Sequence, residues 1–142
     1  MYTGLLHTHS AMRYLVLAIL IIAILKSIFG LLQKSNYTKL DNKLAFFSML
    51  FVHIQIVVGF VLYFVSPKVI LNDMSVAMKN TLIRFFTVEH ILLMLIVGVL
   101  ITIGRINSKK KPLDFQKHKS IVIYYGISLG IILVTVYWMM PQ

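Results

Sequence analysis

Leu15-Val16-Leu17-Ala18-Ile19-Leu20-Ile21-Ile22-Ala23-Ile24-Leu25 carries no polar side chain, and it lies inside an apolar block running from about Leu5 or Tyr14 to Leu32. Three more blocks follow: Leu44 to Val65, about Leu82 to Gly104, and about Ile121 to Met140. Each is long enough to cross a hydrocarbon core of ~30 Å at ~1.5 Å per residue. Lipid offers the backbone no hydrogen bonds, so each block is expected to be a helix that satisfies its own amides. The expected fold is therefore all-α, a bundle of four transmembrane helices at about 5–32, 44–65, 82–104 and 119–140. Together they make one integral membrane domain over residues 1–142.

Composition agrees. Of 142 residues, 59% are hydrophobic and 13% charged, more apolar surface than a soluble domain of this size can hide. The formal net charge is +10, but the basic residues crowd into short stretches between apolar blocks. That placement reads as topology signal and contact with anionic headgroups, and not as a nucleic-acid surface. Cysteine is absent, which excludes disulfides, thiolate metal sites and covalently attached haem. The first block is no cleavable signal peptide, for it lacks a basic start and a small-residue cleavage site.

Basic residues also orient the chain. Lys34, Lys39 and Lys43 occupy the first loop, and Arg105, Lys109, Lys110, Lys111, Lys117 and Lys119 the third. The positive-inside rule puts both loops in the cytoplasm and both termini outside. Aromatic residues at the block ends are expected in the two interface belts, Phe46, Phe47, Tyr124 and Tyr125 on the inner side and Tyr63, Phe64, Phe85, Phe86, Tyr137 and Trp138 on the outer. The second loop, about Pro67 to Thr81, is expected to be either a short amphipathic surface helix or an ordinary loop. Gly126 and Gly130 form a small-xxx-small pair that admits close helix approach, a route to homo- or hetero-oligomers.

Polar groups within a bilayer are costly and often functional. Here they are His7, His9, His53, His90, Arg13, Gln55 and Glu89, with His118 at the start of the fourth block. His9 and His90 both enter from outside, and helical rise places each roughly 6–9 Å deep. Two imidazoles at matched depth on different helices suit the two axial positions of a haem iron. Arg13 stands one turn beyond His9, and Arg84 opens the third block. Either offers a guanidinium fork to haem propionates. An Arg13–Glu89 pair that only joins two helices is the competing reading. His53, near mid-membrane, and His118 form a second, weaker candidate metal site. The Lys-rich stretch around His118 reads it instead as a solvated residue.

Three stretches carry a resemblance: Leu5-Leu6-His7-Thr8-His9-Ser10-Ala11-Met12-Arg13, Val52-His53-Ile54-Gln55, and Arg84-Phe85-Phe86-Thr87-Val88-Glu89-His90. They resemble a family of small four-helix bacterial membrane proteins labelled cytochrome b or cytochrome b-like. More loosely, the chain is similar to bundles of the cytochrome b561 and haem A synthase kind. The resemblance implies haem b held by transmembrane histidines at His9, His53 and His90. It also implies electron exchange with a quinone or another membrane redox protein. The expected function is that of an electron carrier ahead of a turnover enzyme, with an enzyme of haem metabolism as a minor option. The alternative is a cofactor-free accessory or assembly subunit of a membrane complex.

Overall fold

In the computed structural model, residues 2–139 are described, the side chain of Met139 excepted. Among the described residues every regular element is helical. Four helices are long and apolar enough to cross a membrane: α1 (Tyr2–Leu32), α2 (Lys39–Val65), α4 (Thr81–Lys110) and α5 (Asp114–Trp138). A short α3 (Met74–Lys79) lies in the loop between α2 and α4.

The helices run past the apolar blocks because polar chemistry closes their ends. α1 finishes where Lys34 takes a left-handed conformation at φ 55° and the Ser35 amide donates to the Gly30 carbonyl at 2.9 Å. That six-to-one bond satisfies a carbonyl which would otherwise be orphaned. α2 begins at Lys39 and not at Leu44, because Thr38 and Asp41 form a capping box. The Thr38 amide donates to the Asp41 carboxylate at 2.8 Å, and the Asp41 amide donates to the Thr38 hydroxyl at 3.4 Å. Asp41 also receives the Lys26 ammonium at 3.0 Å, which pins α1 to the start of α2. In the second loop, Asp73 accepts from the Val76 amide and starts α3, so residues 74–79 form a short helix.

Packing is tightest along one seam. Leu20 of α1, Ile101 of α4 and Ile121 and Tyr125 of α5 are fully enclosed, with Ala45 and Val52 from α2. Gly98 lets α2 approach α4, since a Cβ there would stand 2.7 Å from the Ile56 methyl. Away from the seam, large apolar side chains such as Ile22, Phe29, Val57 and Val99 are more than half exposed. In water this would be untenable; facing acyl chains it costs nothing.

Two members of the expected aromatic belts belong to the core instead. Tyr125 is fully buried, and its hydroxyl donates to the Ala45 carbonyl at 2.6 Å, tying α5 to α2. Phe85 is 1% exposed. Trp138, Tyr137 and Phe64 are exposed, as belt residues should be.

Candidate functional site

His9 of α1 and His90 of α4 meet at the end of the bundle remote from the lysine-rich loops. Their ring centres are 6.4 Å apart with planes at 86°. Both rings line one cavity of about 300 Å³, walled by side chains such as Val52, Ile56, Met94 and Val97, with Arg13 and Gln55 among its few polar groups.

Local structure places each ring. α4 widens into a π-helical turn over Phe85–Glu89, immediately before His90. One residue beyond the α-helical count shifts the side chains that follow around the axis, and such turns recur at functional sites. The turn leaves polar groups to be satisfied: the Tyr63 hydroxyl donates to the Thr87 carbonyl at 2.7 Å, and the Ile70 amide to the Thr87 hydroxyl at 3.2 Å. Phe85 and Phe86 then flank the His90 ring at 5.6 and 6.0 Å between centres. On the other side, Gly59 of α2 makes space for His9; a Cβ there would lie 3.3 Å from its Cε1. Gln55 donates to the His9 carbonyl at 2.8 Å, binding α2 to α1 beside the cavity.

The ring nitrogens decide what the pair can do. Nδ1 of His9 and Nδ1 of His90 are buried with no hydrogen-bond partner. An unpaired buried nitrogen is expensive in a dry site unless a ligand satisfies the ring. A metal–imidazole bond is about 2 Å and the ring centre lies ~1 Å beyond the nitrogen, so two axial imidazoles have centres ~6 Å apart. The observed 6.4 Å fits that separation, and perpendicular planes are compatible with it. Among the described residues no three His, Asp or Glu side chains gather as a metal site. A bis-imidazole haem needs only two.

The two arginines separate. Arg13 lines the cavity, its Nε buried and unpaired, while its fork donates to the Tyr14 hydroxyl at 3.2 Å. Arg84 is held by Glu89 at 2.7 Å and does not line the cavity. The salt bridge of Glu89 is thus with Arg84, five residues back on its own helix, and not with Arg13.

His53 and His118 have other neighbours. The Thr102 hydroxyl lies 2.7 Å from the Gly98 carbonyl and 2.9 Å from His53 Nε2. His53 Nε2 therefore already has a protein partner. His118 is fully buried, contrary to a solvated reading. Its ring lies on the α1 backbone, where a Cβ on Gly30 would come within 2.5 Å, and 5.2 Å from the Tyr37 ring. Both of its nitrogens are unpaired. Neither histidine lines the cavity of His9 and His90.

Sequence reasoning passed over two groups. Thr102, inside an apolar block, carries the polar partner of His53. Arg105, assigned to the third loop, is inside α4 and only 6% exposed. Its position four residues after the buried Ile101, on the same helical face, was the available signal.

Compared with known proteins, the chain matches no family model, no curated protein and no solved structure.

Proposed function

We propose that the chain is a b-type haem-binding membrane electron carrier, with the haem held between His9 and His90. One observation carries this reading. Imidazoles from two helices stand 6.4 Å apart at one cavity, each with a buried nitrogen that no protein group satisfies. The cavity, at about 300 Å³, is at the lower end of the ~300–1,000 Å³ common for cofactor sites. The resemblance of the histidine-bearing stretches to cytochrome b-like proteins supports the same reading.

When bound, haem b supplies one-electron chemistry. The chain's own residues set its terms. His9 and His90 would hold the haem iron. Arg13 would offset propionate charge at the cavity wall. The Phe85 and Phe86 rings fix the orientation of His90, and Gly59 preserves the room His9 occupies. Apolar walls from α2 and α4 keep water out. Residues His53 and His118, with a ring nitrogen bonded to Thr102 and a packed ring respectively, support a second haem less well.

We place this site near the outer leaflet of a bacterial inner membrane, with N- and C-termini outside. The lysine-rich loops between α1 and α2 and between α4 and α5 support that orientation. A quinone or a membrane redox protein is the partner class that such a location suits.

Visible spectroscopy tests the reading. Protein purified in mild detergent from haem-replete cells should show a Soret band and redox-sensitive α and β bands. His90→Ala should lower haem occupancy by at least about tenfold, as expected when one of two axial ligands is lost. A colourless wild-type preparation overturns the proposal. It would favour the second reading, a cofactor-free subunit, for which Gly126 and Gly130 speak: a Cβ on either meets nothing within 4 Å, leaving that face open to another helix.

A further inference from the structure

The chain has only four carboxylate side chains, and none is left for Arg105. Asp41 holds Lys26 and caps α2. Glu89 holds Arg84. Asp73 caps α3. Asp114, half-buried in the first turn of α5, makes no ion pair among the described residues. Arg105 is nevertheless 6% exposed, and among the described residues its Nε is buried without a partner and its fork reaches only the Ser108 hydroxyl, at 3.5 Å. A guanidinium keeps its charge in a protein, and burying it without a counter-ion costs several kcal/mol in effect. Its surroundings add positive charge. Tyr37, beside Arg105 and Ser108, also carries the Lys117 ammonium 5.6 Å over its ring and packs on the buried His118. Burial in this cluster raises the Tyr37 phenol, so it stays neutral and supplies no anion.

We infer that Arg105 is the centre of a binding site for a phosphate-bearing anion at the lysine-rich end of the bundle. Its guanidinium lies over the Phe46 ring at 5.9 Å, and Phe46 is 40% exposed on the apolar outside of α2. A charged fork beside an apolar, outward-facing ring suits the headgroup and upper acyl chain of an anionic phospholipid. Inorganic phosphate offers the fork the same oxygens without the chain. The site is independent of haem and lies at the other end of the molecule from His9 and His90.

Native mass spectrometry of the full chain, released from detergent with phosphatidylglycerol or phosphatidylcholine, tests this. The wild type should retain one phosphatidylglycerol at least about tenfold more tightly than phosphatidylcholine, the scale of a charge-assisted contact. Arg105→Gln should abolish the preference and Arg105→Lys should keep part of it. Neutralising Lys109, Lys110 and Lys111 together to Gln should leave it in place. A rise in melting temperature with inorganic phosphate equal to that with phosphatidylglycerol, absent in Arg105→Gln, assigns the site to the free anion. Equal retention of both lipids with no response to phosphate overturns the proposal, and so does undiminished preference in Arg105→Gln. If Arg105→Gln fails to fold, undiminished preference in Arg105→Lys overturns it. Haem absorbance of these variants should match the wild type, so failure here is separable from failure of the haem reading.

Discussion

His9 and His53 are both membrane-embedded histidines, yet their hydrogen-bond states separate their roles. His53 Nε2 is spent on Thr102, whereas the His9 and His90 rings keep an unpaired nitrogen. His9→Ala should therefore remove haem absorbance as His90→Ala does, while His53→Ala should leave occupancy within about twofold of wild type and lower only the melting temperature. Loss of one neutral hydrogen bond and its packing corresponds to about 1–3 kcal/mol. A pyridine haemochrome assay on the purified variants reads both outcomes. His118 behaves differently again, because its ring fills the hollow over Gly30. Gly30→Ala forces a Cβ to within 2.5 Å of that enclosed ring and should destabilise the protein by about 1–3 kcal/mol, the usual cost of overpacking. Thermal unfolding should show the loss, and adding His118→Ala should restore part of it.

At the level of elements, two devices set where helices start and stop. The Thr38–Asp41 capping box starts α2 five residues before the apolar block, and the left-handed Lys34 ends α1. Thr38→Ala should cost about 1 kcal/mol, the usual value of an N-cap, and melting in detergent should fall accordingly. Lys34→Gly should raise stability by up to about 1 kcal/mol, because glycine takes a left-handed conformation without Cβ strain. A lower melting temperature for Lys34→Gly would show that the Lys34 side chain contributes more than its backbone costs. The capping box was open to reading, since Thr38 and Asp41 have the spacing for it. The π-helical turn over Phe85–Glu89 was not, because widening a helix by one residue depends on what packs against both of its sides. That turn, and not the spacing of residues alone, sets the direction of the His90 ring.

For the molecule as a whole, charge is divided between two ends. The end with His9, His90 and Arg13 opens into a cavity; the other collects lysines and the buried Arg105. An alkaline phosphatase reporter fused after Gln142 should be active and a cytoplasmic fluorescent reporter at the same point dark. The reverse result would invert the proposed orientation and put the imidazole pair at the inner leaflet. The Arg84–Glu89 pair bears little on this architecture. Its side chains are about a third exposed, and Glu89→Gln should change stability by no more than about 1 kcal/mol.

Length and apolarity were enough, from the residues alone, to set four long helices, because a bilayer leaves an apolar segment of that length few alternatives. Helical rise also put His9 and His90 at one depth, which is a one-dimensional quantity. Which way a side chain points around its helix is not. Tyr125 and Phe85 turned inward, Arg105 became enclosed, Glu89 took Arg84 as partner, and His53 found Thr102. Those outcomes depend on rotation, local winding and the neighbours that packing supplies, and only the assembled bundle decided them.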